Sequence, residues 1–353
     1  MKILTVANEK GGVGKTFFST QFAFYCALKY RLRVAVIDLD QQANASRCLA
    51  LKGLAVKAEV RAADLLLGTA EVGHFTDRFV YFEADDRLSM LEKQGDEMHG
   101  VFVENLLKAL SQLESSFDLV IIDTNPNPDI RSNAGLLVCT HLVSPIQLTK
   151  EPIDGISRLF DRLTSISTLN SNLPDGIIGM LPNQVEAGAF QVQNGKMLIE
   201  AYGKLLIPVT EVKPQFYKDV NGKIGAMKAE DGSFLLNEVK SYAAIKRRSA
   251  VAEAQALGCP LWEMPNLQSW HEIKRVFFTV MERLQIDRLN EATADMLSLL
   301  DDCRNIYGAQ SWKRIVRQFW LSDNSSIMLG LTPDKINQLR KLRAYVPLSV
   351  IAE

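Results

Sequence analysis

Residues able to act on a phosphate ester gather near the amino terminus, in Asn8-Glu9-Lys10-Gly11-Gly12-Val13-Gly14-Lys15-Thr16. A glycine-rich turn between a strand and a helix lets successive backbone N–H groups point inward, and the helix dipole adds positive potential, so the segment reads as a phosphate cradle. Gly11, Gly12, Val13, Gly14, Lys15, Thr16 and Phe17 are its candidate nucleotide-binding residues. Lys15 is expected to reach the β and γ phosphates and the Thr16 hydroxyl to ligate Mg²⁺.

Two further segments end in carboxylates. Val36-Ile37-Asp38-Leu39-Asp40 places two acids at i and i+2, which on a strand share one face. Phe117-Asp118-Leu119-Val120-Ile121-Ile122-Asp123 is an apolar run with an acid at its tip, where a carboxylate can hold a magnesium-bound water. An Asn-Lys-x-Asp guanine motif is missing from the sequence, which favours ATP over GTP.

These groups converge only if the chain alternates strands and helices. Ile3 to Ala7 and Arg33 to Leu39 read as buried strands around a helix from Lys15 to Tyr30. The alternation continues with a helix over about Val101 to Leu113, a strand at Leu119 to Ile122 and a helix after Ile130. A strand near Leu142 to Ile146, a helix from Asp154 and a strand at Gly176 to Leu181 follow. The fold class expected is α/β, a mainly parallel doubly wound sheet with its ligand site at the carboxyl ends of the strands. Turn signals at Asn221-Gly222 and Asp231-Gly232 mark a hairpin insertion at about 209–242. A helix over Gln268 to Leu284 closes the domain, and a boundary near Ile286 divides a 1–285 domain from a helical extension at 286–353.

Composition narrows the function classes. Lys+Arg 40 against Asp+Glu 41 gives a formal net charge of -1, so nucleic-acid binding would have to rest on a local patch. Five scattered cysteines without Cys-x-x-Cys spacing argue against a disulfide framework or a zinc site and fit a reducing cytosol. No apolar run reaches the ~18 residues of a membrane span, and the expectation is a soluble, unexported protein.

The segment Lys10 to Thr16, KGGVGKT, resembles the deviant Walker A signature of the ParA/Soj/MinD family of P-loop ATPases, closest to the ParA-type partition members. The resemblance implies a P-loop NTPase fold, ATP and Mg²⁺ as cofactors, and ATP hydrolysis that is slow without a partner. It gives Lys10 a role on the triphosphate of a second subunit, making ATP the glue of a homodimer. It also gives Asp40 a role on the attacking water and Asp38 a place in the magnesium environment with Thr16 and Asp123. The catalytic set is then Lys10, Lys15 and Asp40. Asn183, in Leu181-Pro182-Asn183, falls where relatives hold the base, and Pro145, Glu151 and Gly155 fit the family's next strand and helix. Two positions depart from the pattern: Gln41 stands where proline usually follows the second Asp, and Asn125 interrupts Asp-Thr-Pro-Pro.

Ile245-Lys246-Arg247-Arg248 through Gly258-Cys259-Pro260 resembles the stretch whose arginines bind DNA without sequence preference in partition members, with Ala250 in place of the second arginine. Lys246, Arg247 and Arg248 are therefore the candidate contacts to double-stranded DNA. A ParB-like centromere-binding partner, a role in segregating plasmid or chromosomal DNA and a cytoplasmic, nucleoid-associated location are implied with it. The rival reading is a MinD-like switch that docks on a membrane through the amphipathic Lys335 to Arg343 helix. An iron-sulfur electron carrier would need a cluster-bridging cysteine, for which the solitary Cys139 is poorly placed.

Overall fold

The computed structural model describes residues 1–95, 97–148, 164–165, 168, 176–218, 222, 224–227, 236–308, 311–322, 325–328 and 330–343. In chain order the first elements are β1 (Lys2–Val6), α1 (Lys15–Phe24), β2 (Val34–Asp38), α2 (Asn44–Ala50), β3 (Val56–Lys57), α3 (Ala62–Leu67), β4 (Phe79–Phe82), α4 (Arg87–Leu91) and α5 (Met98–Leu113). Next come β5 (Leu119–Asp123), α6 (Ile130–Val138), β6 (His141–Ile146), β7 (Ile177–Val185), α7 (Ala189–Tyr202), β8 (Pro208–Pro214), β9 (Phe216–Lys218), β10 (Ile224–Ala226), β11 (Leu236–Tyr242) and β12 (Ile245–Lys246). The chain continues through α8 (Ser249–Leu257), α9 (Gln268–Leu284), α10 (Asp287–Tyr307), α11 (Trp312–Ser322) and α12 (Pro333–Arg343). The helix expected from Asp154, and with it Glu151 and Gly155, lies outside the described residues, as do Asn221 and Asp231-Gly232.

Eight strands form one sheet in the order β12-β7-β6-β1-β5-β2-β4-β3, and its pairings are parallel. The central strands β2 and β5 are buried throughout, as are all but the first residue of β1. Burial on both faces explains why they read as unbroken apolar runs instead of alternating ones. One apolar layer holds α1 and α9, where Phe18 and Phe22 meet Phe277 at ring distances of 5.5 and 5.3 Å. The other layer is built from α3, α5 and α6.

The expected helix from Lys15 to Tyr30 proves to be α1 followed by a π-helical turn at Tyr25–Lys29. There Tyr25 and Tyr30 share a 3.0 Å hydroxyl contact. Helix α1 carries no clean polar face because the sheet and α9 enclose it, and its buried polar groups are bonded. Gln21 donates to the Cys259 carbonyl at 2.9 Å and accepts from the Leu261 N–H at 2.9 Å. The short elements β3, β4 and α2 to α4 were not anticipated, since a few residues cannot display a period.

The excursion expected at 209–242 takes the form of two antiparallel pairs, β8 with β11 and, between them, β9 with β10. Leu284 and Ile286 still belong to the main core, whereas Leu299, Leu300, Cys303, Val316, Phe319, Met328, Leu331 and Leu339 make a separate cluster. Helix α12 starts at Pro333, and its Ile336 and Leu339 pack into that cluster. The apolar side on which the membrane reading depends is thus partly occupied. Among the described residues no helix is long and apolar enough to cross a membrane.

Candidate functional site

Parallel register brings the acids together. Strand β5 pairs with β1 on one side, matching Asp123 to Val6, and with β2 on the other, matching Asp123 to Asp38. Both carboxylates therefore stand at the carboxyl ends of adjacent central strands, beside the loop that links β1 to α1.

That loop is built around two left-handed glycines, Gly12 at φ 73° and Gly14 at φ 94°. Gly14 caps α1, and a Cβ there would lie 1.9 Å from Asn183 Nδ2, so any larger residue would push the β7 strand end away. Asn183 itself is buried and donates to the Val13 carbonyl at 2.7 Å. The amide expected at the base thus braces the phosphate loop from behind through its Nδ2. Gln184, at a left-handed φ of 55°, and Gln147 both donate to the Gly12 carbonyl, at 2.8 and 3.0 Å. Asn8 completes the frame, accepting from the Lys10 N–H at 2.8 Å and donating to the Pro145 carbonyl at 2.9 Å.

Lys15 is buried, with its Nζ donating to the carbonyls of Asn8 at 3.0 Å and Lys10 at 3.2 Å. Burial lowers its pKa, opposed by the negative charges of Asp123 and Asp40. Thr16 Oγ1 donates to Asp123 Oδ2 at 2.8 Å and Ser19 Oγ donates to Asp123 Oδ1 at 2.7 Å. Ser19 was missed in the sequence, although it lies three residues beyond Thr16 and so on the same helix face. A hydroxyl and a carboxylate at this separation form an oxygen-only donor pair. It suits Mg²⁺, which usually takes one or two protein carboxylates and completes its shell with water and phosphate. Phe17 turns its ring into the main core, which leaves its backbone as the part able to meet phosphate.

Asp38, expected in the magnesium environment, stands beside Asp123 and is itself held by protein groups. Its Oδ2 accepts from the Ser46 N–H at 2.8 Å and Ser46 Oγ at 2.7 Å, and its Oδ1 accepts from the Asp40 N–H at 3.1 Å. Three of its roughly four lone-pair sites are thus taken by protein, and through the Asp40 N–H it shapes the loop carrying Asp40. Burial and the neighbouring Asp123 charge raise the Asp38 pKa, and burial likewise raises that of Asp123. Two adjacent acids in one dry site favour a nearby cation. Asp40 is half-buried and accepts from the Gln42 N–H at 2.9 Å. Lys10 is exposed at the rim.

The three candidate DNA contacts are not one cluster. Lys246 and Arg248 both meet Glu272 of α9, at 3.3 and 2.6 Å, while Arg247 reaches Glu186 at 3.0 Å. Alternation along the extended backbone separates them. Each cation carries an acidic partner that the sequence did not reveal.

A protein-family profile described as an AAA domain matches residues 1–174. Protein IncC of Escherichia coli is 29% identical over 301 residues, a match covering 80% of this chain and 70% of that protein. The chromosome-partitioning ATPase Soj of Treponema pallidum is 28% identical over 186 residues, 50% of this chain and 69% of its own length. Among solved structures, McdA of Cyanothece superposes with a TM-score of 0.59 at 19% identity, covering 80% of this chain and 99% of that one, a likeness of fold. Taken with the phosphate loop and the paired strand-end acids, these matches make the chain a member of the ParA/Soj/MinD family of P-loop ATPases.

Proposed function

We propose that the chain is an ATP-dependent dimerising ATPase of DNA partition, with Mg²⁺ held by Thr16 and Asp123. The observation that carries this reading is the convergence of Lys15, Thr16 and Asp123 on one glycine loop at the centre of the sheet. Mg²⁺, when bound, neutralises charge on the phosphates. Lys15 supplies a second positive charge, and the backbone N–H groups of Gly11 to Phe17 fix the phosphate oxygens. Asp40, steadied by Asp38 through its own N–H, orients the attacking water. Asn183 holds the base with the oxygen of its amide, since its nitrogen is used on Val13. Lys10, exposed beside the cradle, reaches the triphosphate of a second copy, so pairing depends on the γ-phosphoryl group.

Non-specific DNA binding through Lys246, Arg247 and Arg248 would be strengthened by avidity once two copies pair. A ParB-like activator would complete the site, trigger hydrolysis and release the protein from the DNA of the nucleoid, to which the ATP-bound dimer returns. The relative Soj, named a chromosome-partitioning ATPase, supports the partition role. The membrane-switch reading has less support, because Ile336 and Leu339 are engaged within the chain.

Multi-angle light scattering of the purified chain with ADP and then with a slowly hydrolysed ATP analogue, each with and without duplex DNA, tests the reading. Doubling of mass with the analogue alone, and retention on DNA only in that state, is expected. A constant mass across nucleotides would overturn it.

A further inference from the structure

The two positions that depart from the family's nucleotide motifs, Gln41 and Asn125, meet at a single network. Its centre is Arg131, in the first turn of α6 and with 0% of its surface exposed. Arg131 Nη1 donates to Gln41 Oε1 at 2.7 Å, Nη2 to Glu92 Oε2 at 3.2 Å, and Nε to Asp129 Oδ2 at 3.1 Å. Nη2 also makes a short contact to that Asp129 oxygen. Asp129 is at once the N-cap of α6, accepting from the N–H groups of Arg131 and Ser132, and the acceptor of Asn125 Nδ2 at 2.6 Å.

Each arm leads to the nucleotide site. Gln41 follows Asp40 directly, and Asn125 stands two residues beyond Asp123. A cap for α6 needs only Asp129; it explains neither the Gln41 bond nor the Glu92 bond. Buried ion pairs return little net stability, and their best-attested use is to fix a register. Asn125 adds a second sign of a constrained loop, for its Oδ1 is buried without a hydrogen-bond partner. Native proteins rarely leave a polar atom so.

We propose that Arg131 is a positioning residue that yokes the loop after β2 to the loop after β5, so that Asp40 and Asp123 are set around the triphosphate as one unit. The proposal rests on the ATPase reading for its consequence, though the yoke itself is measurable in protein without nucleotide. Here side-chain bonds supply the stiffness that a proline ring would otherwise impose at those two positions.

The test uses the full chain with Gln41→Ala, Gln41→Glu, Asn125→Ala and the Gln41→Ala/Asn125→Ala pair. Gln41 is half-buried and uncharged, so its loss avoids stranding a charge as Arg131→Met would. Amide hydrogen exchange in nucleotide-free protein should show Gln41→Ala loosening residues 125–129 and Asn125→Ala loosening residues 39–43. Basal ATP turnover should fall about fivefold to tenfold in either single variant with KM for ATP little changed. The paired variant should be no worse than the poorer single, and Gln41→Glu, which keeps an acceptor for Arg131, should restore turnover. Exchange confined to the mutated loop, or additive losses in the pair, would overturn the yoke. A wild-type chain that binds no ATP yet shows the cross-loop exchange would retain the yoke and refute the ATPase reading instead.

Discussion

The crevice at the end of β1, β5 and β2 and the basic strip at 245–248 use charge in opposite ways. In the crevice, Asp38 and Asp123 are buried and accept hydrogen bonds from hydroxyls and backbone N–H groups of the chain itself. Along the strip, Arg247 is 69% exposed and its partner Glu186 51% exposed, a pairing of the sort that contributes little to stability. A buried acid pair is set by the sheet and asks for a cation. An exposed cation with a loose acidic partner can trade that partner for phosphate at small cost. The first region therefore commits the molecule to one chemistry, while the second is adjustable.

Five substitutions would break or sharpen this contrast. Lys15→Ala removes the only cation buried within the loop's reach among the described residues, and ATP affinity should fall by about a hundredfold or more, read by fluorescent-nucleotide titration. Asp40→Ala should bind ATP as before while turnover drops by roughly a hundredfold, leaving dimers that accumulate in light scattering. If it turns over normally, water positioning lies elsewhere. Lys10→Ala should retain ATP within about threefold of the parent yet stay monomeric with the ATP analogue; dimers of normal mass would remove the cross-subunit role.

The smallest effects belong to the strip. Arg247→Ala should weaken duplex-DNA binding about threefold to tenfold and reduce the salt slope by about one. Glu272→Gln supplies the opposite sign, because it releases both Lys246 and Arg248 and should tighten DNA binding. Unchanged binding in both variants, measured by anisotropy over a salt series, would move the DNA surface to another face.

How far the site was legible can be judged residue by residue. The cradle from Lys10 to Thr16 is contiguous, and glycine, lysine and threonine are demanded there by backbone geometry and phosphate chemistry, so it could be read directly. Asp123 was legible for a related reason, as an acid ending a buried apolar run. Ser19 and Ser46 were not, because a serine's value depends on which carboxylate stands opposite it, and those bonds cross 104 and 8 residues of chain. The bonds that tie Asp38 to Ser46 and to the Asp40 N–H were likewise visible only in the folded chain. Arg131 left no signal at all, since an arginine after Asp129 in a helix start looks like an ordinary surface residue until Gln41 and Glu92 close over it.

Local sequence alone determined the α/β alternation, the phosphate loop and the helical character of the carboxyl-terminal segment, because each follows from neighbours a few positions apart. Tertiary structure decided which acids face each other, which cations are already spoken for and how the loops carrying Asp40 and Asp123 are tied. The physical reason is that strand register and ion pairing depend on distances between residues far apart in the chain, and those distances exist only after the sheet and its helices have packed.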